Sequence, residues 1–394
     1  MEVTGMLNRT KFTLSIIALA LSTSSALAQE DDTGFFAKAD TTIAHDDNIY
    51  RVTDDLAQSD TYLSVAPEVK LIGGIGKQRF ELSYSGDYAK FGDVEDADYS
   101  DHDVRAKINF EHTIRFSSKF EAGYQSEHED PGVFDRIQLN ITEYNKFNRN
   151  FFLAELAYGQ ESAIGRLALD YRRTEKDYTN NNLDFLDFVS DQVSARFTYR
   201  VAPKTRLYVE SIFIDYDYDA NNGFELDNKF KRYRAGLTWD FTNKLTGDIN
   251  VGYQDRDYKL ATLRDIDGLA YNGVIAWEIN TYTNLEFLGS RESVNSSLEQ
   301  SGGFLRTTYG ASLSHKITEL LTIKADAVFS KDELVFSSAR EDDRYAYKVG
   351  LDYELLRYLT VGAFYTYEER DSSSELADYK ANIIGLNVTV SLDN

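Results

Sequence analysis

The sequence predicts an all-β fold, namely a transmembrane antiparallel up-and-down β-barrel of about 18 strands. Two patterns carry this prediction. Apolar and polar residues alternate with a period of two in segment after segment, as expected of strands with one apolar face. The connectors between these segments alternate between short and long, which is typical of β-barrels that cross a membrane.

The chain begins with the parts of a cleavable export signal, predicted over 1–28. Arg9 and Lys11 precede an apolar run, and the small-residue pattern Ala26-Leu27-Ala28 that signal peptidase recognises comes after it. We expect cleavage between Ala28 and Gln29. A protein exported in this way leaves the cytoplasm, which agrees with a barrel of the cell envelope.

The alternation separates two faces in each predicted strand. Over 193–201, one face holds apolar side chains and the other holds Ser194, Arg196, Thr198 and Arg200. Because successive side chains of a strand point to opposite faces, we expect the apolar face to contact lipid and the polar face to line a lumen. The same pattern holds over 103–110, 233–241, 269–279 and 345–355.

Breaks in the alternation and turn residues set the boundaries of the strands. Each predicted strand is longer than the roughly 9–11 residues that a tilted strand needs to cross a bilayer. The eighteen predicted strands are 34–49, 59–72, 78–91, 98–113, 116–128, 146–158, 163–176, 188–201, 204–218, 228–241, 244–258, 267–279, 282–295, 303–316, 319–334, 341–355, 358–370 and 377–392.

The connectors form two sets. Short ones, such as Gly73-Gly74 and Ala202-Pro203, alternate with longer acidic ones, such as 129–145 and 177–187. Outer-membrane barrels of Gram-negative bacteria have short periplasmic turns and longer outer loops. An even number of strands then places both termini in the periplasm.

The main alternative for the fold is a soluble β-sandwich or an unusual repeat protein. A sandwich of this length would divide into domains of about 100 residues joined by a linker. The chain shows no linker, no low-complexity stretch and no shift of composition. We therefore predict that 29–394 forms one barrel domain in contact with outer-membrane lipid.

Composition excludes several kinds of chemistry and one kind of partner. The chain has only three prolines, which suits long strands because proline removes a hydrogen-bond donor from the sheet. It has no cysteine, so disulfides, thiolate metal sites and cysteine nucleophiles are excluded. Its net charge is −23, so a polyanion such as nucleic acid would be repelled.

Charged side chains are expected in the lumen, because a barrel of roughly 16–18 strands encloses water. Such side chains can bind hydroxyl groups or steer a charged solute, or they can simply hold water and pair across neighbouring strands. No cofactor is expected. The side chains predicted to face the lumen are Arg105, Lys107, Glu111, Arg166, Asp170, Arg172, Arg196, Arg200, Arg234, Asp240, Asp248, Lys324, Asp326, Lys348 and Asp352.

One acidic segment is similar to a calcium loop. Asp215, Asp217 and Asp219 alternate with tyrosines before Asn221-Asn222-Gly223, but the bidentate glutamate of such loops is missing. The pattern leaves open which side chains of this segment face inward. We expect an acidic strand end near the outer rim rather than a cation site.

Enzymatic chemistry is not expected. His128 has acidic neighbours at Glu127, Glu129 and Asp130, but no catalytic motif surrounds it. The five histidines, His45, His102, His112, His128 and His315, are scattered without the spacing of metal ligands.

The last strand carries Gly385, Val388, Val390 and Leu392 in a spacing similar to the terminal strand that the barrel-assembly machinery recognises. The chain departs from the usual pattern because it ends in Leu392-Asp393-Asn394 instead of phenylalanine. We nevertheless expect this machinery as a partner.

A family resemblance rests on several short segments and covers nearly all of 34–392. The segments are His45-Asp46-Asp47-Asn48-Ile49-Tyr50-Arg51, Asp60-Thr61-Tyr62 to Ala66-Pro67, Tyr84-Ser85-Gly86-Asp87-Tyr88, Gly252-Tyr253-Gln254-Asp255-Arg256-Asp257-Tyr258, Ser290-Arg291-Glu292-Ser293 and Tyr367-Glu368-Glu369-Arg370-Asp371-Ser372. In their order and spacing they resemble the outer-membrane barrel family called putative β-barrel porin type 2, which is found with exopolysaccharide and capsule export systems of Gram-negative bacteria.

The resemblance implies a conduit through which exopolysaccharide or capsular polysaccharide leaves the cell, docked to a periplasmic polysaccharide-export protein. Two alternatives stay open. The barrel could be a stand-alone porin for small solutes or oligosaccharides. It could also be a surface receptor or adhesin whose acidic loops, among them 129–145 and 177–187, bind an external partner.

Overall fold

The computed structural model describes residues 33–132, 143–219, 225–242, 244–297, 302–335 and 340–393. In these ranges eighteen strands form one closed antiparallel sheet. Each strand pairs with its neighbours along the chain, and the first strand also pairs with the last. The prediction of an up-and-down barrel of eighteen strands is confirmed. The predicted export signal and its cleavage between Ala28 and Gln29 lie outside the described residues.

The strands have 13 to 16 residues, more than the roughly 9–11 that cross a bilayer. They are β1 (Gly34–Asp46), β2 (Asp60–Ile75), β3 (Gln78–Phe91), β4 (Tyr99–Glu111), β5 (Phe116–His128), β6 (Lys146–Tyr158), β7 (Gly165–Tyr178), β8 (Phe188–Ala202), β9 (Thr205–Tyr218), β10 (Asn228–Thr242), β11 (Leu245–Tyr258), β12 (Ile266–Asn280), β13 (Thr283–Asn295), β14 (Gly303–Lys316), β15 (Leu321–Leu334), β16 (Glu341–Leu356), β17 (Leu359–Ser372) and β18 (Tyr379–Asp393).

The two ends of the barrel differ in their connectors. One end has short connectors such as 203–204, and the other has longer ones such as 47–59 and 129–145. We call them the short-connector end and the long-connector end. Gly34 and Asp393, at the outer termini of β1 and β18, both lie at the short-connector end.

One predicted turn is wrong. Gly73 and Gly74 belong to the β2–β3 ladder, and the chain reverses at Gly76-Lys77 instead. Gly76 has a φ of 62°, in the left-handed region that glycine adopts without the strain of a side chain. The third glycine therefore makes the turn, and β2 extends to Ile75.

The outer face is apolar because alternate side chains of every strand point outward. In β8, Val193, Phe197, Tyr199 and Val201 are 46–53% exposed, whereas Ser194 on the opposite face is buried. Such a large apolar surface is stable only when another apolar medium covers it. In an outer-membrane barrel that medium is lipid.

Aromatic side chains border the apolar band on both sides. On the long-connector side, the Tyr171 hydroxyl donates a hydrogen bond to Asp191, and the Tyr253 hydroxyl donates one to Asp267, both at 2.7 Å. Rows of this kind anchor a barrel at the two membrane interfaces. The outward aromatic residues are Phe116, Tyr158, Tyr199, Tyr282, Tyr353 and Tyr358 on the short-connector side, and Tyr124, Tyr171, Tyr233, Tyr253, Tyr271, Tyr309, Tyr347 and Tyr365 on the other.

Helical structure within the described ranges is limited to short 3₁₀ turns in the long connectors, at Glu95–Ala97, Asp184–Leu186 and Glu375–Ala377. Over the same ranges no helix has the length and apolar character to span a membrane.

Buried apolar clusters lie at the long-connector end, where connectors pack against inward side chains of the wall. One cluster contains Ile49, Tyr50, Ala97 and Tyr144. The other contains Phe147, Tyr178, Leu183, Phe185, Leu186, Tyr218 and Leu226. The described parts of these connectors are thus packed against the wall.

Candidate functional site

The lumen is lined by the strand faces opposite to the exposed apolar residues. Arg196, for example, lies between the outward residues Ala195 and Phe197. That the inward side chains contact a solute in transit stays a prediction. Glu111 and Asp170 lie on these inward faces. All thirteen residues predicted to line the pore lie there too, namely Arg105, Lys107, Arg166, Arg172, Arg196, Arg200, Arg234, Asp240, Asp248, Lys324, Asp326, Lys348 and Asp352.

Glu210 joins two of the predicted arginines. In the strand register it lies on β9 directly between Arg196 of β8 and Arg234 of β10. Its carboxylate accepts a hydrogen bond from Arg196 Nε at 2.8 Å and another from Arg234 Nε. Two guanidinium groups therefore share one carboxylate at this point of the wall.

Most other charged side chains of the wall are paired with a residue of opposite charge. Asp248 is held by hydroxyl groups instead, and accepts hydrogen bonds from Tyr208 at 2.7 Å and Thr238 at 2.9 Å. These contacts hold the side chains against the wall. The ion pairs are Lys107 with Glu81 (3.9 Å), Arg166 with Glu155 (3.0 Å), Asp240 with Lys204 (3.8 Å) and Lys324 with Asp352 (2.7 Å).

Several inward residues were missed by the sequence analysis. Arg232 shares a strand face with the predicted Arg234, two residues away, so the alternation contained the signal. Arg149 and Phe151 lie on the inward face of β6 in the same way. Glu210 was missed because it lies in the strand whose orientation the pattern left open.

The described start of the connector between β5 and β6, residues 129–132, lies inside the long-connector mouth. At its start, Glu129 accepts hydrogen bonds from Lys176 at 2.8 Å and from Tyr178, two inward side chains of β7. Three residues later, the carbonyl of Gly132 accepts a hydrogen bond from Arg344 of β16. In a ring of eighteen strands, β7 and β16 lie on opposite sides. Three residues span roughly 10 Å at most, so side chains of two facing walls meet on this connector and narrow the mouth.

The far side of the same connector ends in an aromatic cluster. The Tyr144 ring centroid lies 5.7 Å from that of Tyr50 and 6.2 Å from those of Phe91 and Tyr99. Its hydroxyl donates a hydrogen bond to the carbonyl of Ile49 at 3.2 Å. Burial raises the pKa of Tyr144 well above its usual range, so this hydroxyl stays protonated.

Arg344 belongs to a buried charge network. Asp332 accepts two hydrogen bonds from Arg306, at 2.5 and 2.6 Å, and its other contact is with Arg344 Nε at 2.9 Å. Asp342 accepts two from Arg340, at 2.7 and 2.6 Å. Both carboxylates are 0% exposed. Buried charges are stable only when they are paired in this way, so Arg344 is held in place by the same network that binds Gly132 through it.

A second buried network centres on Arg51, in the connector 47–59. Its guanidinium donates to Asp46 at 2.8 Å and to Glu368 of β17 at 2.7 Å. Burial opposes the charge of Arg51, but the two carboxylates outweigh it and raise the pKa of this group well above its usual value. The network joins this connector to the wall across the β1–β18 seam.

The described part of the acidic segment considered as a cation site shows no metal-binding geometry. Asp215 points outward and lies 4.0 Å from Lys229, whereas Tyr216 and Tyr218 point inward. The predicted continuation at Asn221-Asn222-Gly223 lies outside the described residues. In the part of the chain that the structure describes, no group of three or more acidic or histidine side chains could hold a metal ion.

His128 is engaged on both ring nitrogens. Nδ1 lies 3.0 Å from Asp101 and Nε2 lies 3.4 Å from Asp130. Its ring packs on Tyr99 with 3.9 Å between centroids. This histidine therefore fastens the start of the β5–β6 connector and presents no free base.

A closed antiparallel barrel with an apolar outer band, aromatic borders and a charged lumen is an outer-membrane barrel of the porin type. The family model described as "Putative beta-barrel porin 2" matches residues 35–392, and the chain belongs to this family. The resemblance that the sequence segments indicated is confirmed. Family and fold are those of channels rather than enzymes.

Solved porin structures from Pseudomonas aeruginosa have the same fold. OccK1 (OpdK) is 12% identical with a TM-score of 0.52, and the alignment covers 91% of this chain and 99% of that one. OccK2 (OpdF) is 12% identical, with a TM-score of 0.52 and coverages of 91% and 98%. OpdO is 13% identical, with a TM-score of 0.52 and coverages of 91% and 97%. No curated protein matches the chain significantly. These findings give no support to the polysaccharide conduit that the resemblance implied.

Proposed function

We propose that the protein is a stand-alone outer-membrane porin for small water-soluble molecules. The narrowed mouth carries this proposal. Glu129 and Gly132 accept hydrogen bonds from side chains of two facing walls, so this segment of the connector lies across part of the entrance. A small solute can pass beside such a connector, whereas a polymer in transit needs an unobstructed passage along the whole barrel.

The charged wall suits polar solutes. Ion pairs such as Lys324–Asp352 and Arg166–Glu155 hold water at the lumen surface. A passing solute can exchange its hydration water for these side chains at little cost in free energy. A fold relative, OpdK, which is 11% identical with a TM-score of 0.51, was solved with vanillate. Solutes of similar size are the ones we propose for this barrel.

The direction of the barrel in the membrane is part of the proposal. The long connectors are placed at the cell surface and the short ones in the periplasm, as in other outer-membrane barrels. Gly34 and Asp393 then lie on the periplasmic side. The barrel-assembly machinery would insert the chain, and the stand-alone function needs no periplasmic export protein.

Reconstitution tests this function. The purified, folded protein is inserted into planar bilayers for conductance and into liposomes for swelling with a pentose, a disaccharide and a tetrasaccharide. We expect stepwise conductance and swelling rates that fall with sugar size. A folded barrel that conducts no ions and admits none of the sugars would contradict the proposal.

A genetic measurement separates the porin from the polysaccharide conduit. Surface and secreted polysaccharide are measured in a strain lacking the gene and in the same strain with the gene restored. Unchanged polymer agrees with a stand-alone porin. Loss of polymer on deletion and its return on restoration would overturn the proposal in favour of the conduit.

A further inference from the structure

We propose that an arginine cluster on the β4–β7 wall, formed by Arg105, Arg149 and Arg172, binds small carboxylates on their way through the lumen. The inference rests on the proposed function as a porin and adds a substrate class to it. It is argued from the positions of the three guanidinium groups and from which of them form an ion pair with a carboxylate.

Phe151 positions two of the three guanidinium groups. Its ring lies against the backbone at Gly123, where an added Cβ would overlap it. The guanidinium carbons of Arg105 and Arg172 each lie over this ring, 5.6 Å from its centroid. A guanidinium group that packs on an aromatic face keeps the N–H groups along its edge free for a carboxylate.

Arg105 is neutralised, but Arg149 is not. Arg105 donates to the Asp103 carboxylate at 2.9 and 2.5 Å. Arg149 donates instead to the amide oxygen of Gln125. The same amide donates through Nε2 to Asp103 at 2.7 Å and approaches Glu127 at 3.4 Å, so its oxygen must point to Arg149. A neutral acceptor satisfies one donor of Arg149, and the carboxylates that attract this group, Glu127 and Asp103, form no ion pair with it among the described residues.

Arg172 makes no hydrogen bond or ion pair with any other described residue. The carboxylates that attract it, Glu121 and Asp170, are bonded elsewhere. Glu121 lies 3.3 Å from Lys119, and Asp170 accepts a hydrogen bond from Ser194 at 2.6 Å. The donors of Arg172 therefore have no partner among the described residues and are available to a solute.

Two guanidinium groups without a carboxylate are unusual in a chain with a net charge of −23. Arg105 and Arg172 both repel Arg149, and an entering anion relieves this repulsion. A guanidinium group donates two parallel hydrogen bonds to a carboxylate, which a neutral solute cannot accept with the same strength. The cluster thus selects carboxylates by charge and by planar shape.

The test uses benzoate as the probe and benzamide as its uncharged analogue. The change is the double variant Arg149→Gln with Arg172→Gln, in which glutamine keeps hydrogen-bonding capacity but removes both charges. Arg173→Gln is the matched control. Arg173 is the next residue on β7, but it faces outward and pairs with Asp191 at 2.8 Å.

We expect benzoate to reduce the current of the reconstituted barrel and benzamide to have no effect. The benzoate concentration for half of the effect should rise about tenfold or more in the double variant, since a charge-assisted hydrogen bond contributes roughly that factor. It should stay unchanged in Arg173→Gln. Equal effects of benzoate on the double variant and the unsubstituted protein, or equal effects of benzoate and benzamide, would overturn the inference.

Calorimetric titration of the folded barrel in detergent separates the two proposals. Benzoate binding that is lost in the double variant supports the cluster even if the barrel conducts no current, in which case only the porin function fails. No benzoate binding to the unsubstituted protein overturns the cluster, whatever the conductance.

Discussion

The guanidinium group of Arg344 donates a hydrogen bond to the carbonyl oxygen of Gly132, and so a connector that leaves β5 is fastened to β16. Arg344 also contacts the fully buried Asp332 at 2.9 Å. One arginine thus joins the described start of this connector to a buried carboxylate of the opposite wall.

Arg344→Lys should open the long-connector mouth. A lysine ammonium keeps a positive charge beside Asp332 but lacks the planar fork that reaches Gly132 at the same time. We expect a folded barrel with higher single-channel conductance and faster uptake of a disaccharide in liposome swelling. The matched control is Arg340→Lys, because Arg340 belongs to the same network and its described partners are Asp342 and Ser372. Equal conductance in the two variants would show that the Gly132 contact does not limit the passage.

Arg51→Gln should destabilise the barrel strongly. The substitution leaves Asp46 and Glu368 buried and facing each other without a cation. Loss of one partner from a buried charge network costs about 3–5 kcal/mol. Urea unfolding in lipid should show this loss, and a second substitution, Glu368→Gln, should recover part of it. An unfolding free energy within about 1 kcal/mol of the unsubstituted protein would contradict the assigned network.

Gly252→Ala should weaken the β10–β11 ladder. A Cβ at this position would overlap the carbonyl oxygen of Tyr233, which is backbone and cannot rotate away. Overpacking costs about 1–3 kcal/mol even where side chains can adjust. The temperature at which the folded form disappears on gels should drop clearly. In the control Gly350→Ala, the nearest atom is the Ala363 oxygen at 3.5 Å, so little change is expected. Equal effects of the two substitutions would contradict the close approach.

The connector 179–187 should become less stable as the pH rises from 4 to 7. Burial, together with nearby Asp177 and Asp184, raises the pKa of Asp187 to about 6. The folded connector thus binds a proton more tightly than the unfolded chain, whose aspartate titrates near 3.8. This contribution to stability is complete below the unfolded value and is lost as the pH rises through about 6.

Spin-label mobility measures this effect. Because the chain has no cysteine, Thr179→Cys places one label at an exposed position of the connector. Mobility should increase between pH 4 and pH 7. Asp187→Asn, which keeps an oxygen for the Tyr178 N–H at 2.6 Å, should remove the pH dependence. The same pH response in both proteins would assign it to another group.

The barrel wall could be predicted from the sequence, because one rule decides it. The period of two fixes which side chains face the lumen, and it placed Arg172 and Arg196 on the inward face without any knowledge of the neighbouring strands. It failed where local chemistry competed with it. Gly73, Gly74 and Gly76 lie close together, so the sequence allowed more than one position for the turn. The structure shows that Gly76 makes it.

The site depends on contacts that one sequence does not contain. The Arg344–Gly132 contact joins residues 212 positions apart. The free charge of Arg149 depends on the orientation of the Gln125 amide, which is set by Asp103 on another strand. The residue types and their alternation predict which charged side chains face the lumen. The register of the strands decides which of these side chains have a neighbour of opposite charge.

The seam between β1 and β18 has a consequence for how the molecule is made. The two strands pair from Phe36 with Asp393 to Asp46 with Ile383. Until β18 is in place, β1 and β17 each have an edge of unpaired N–H and C=O groups, which hydrocarbon cannot satisfy. A copy cut short before Tyr379, where β18 begins, lacks the strand that closes the sheet and has two open edges. We therefore expect such a copy to be excluded from the bilayer, so that membrane insertion depends on completion of the chain.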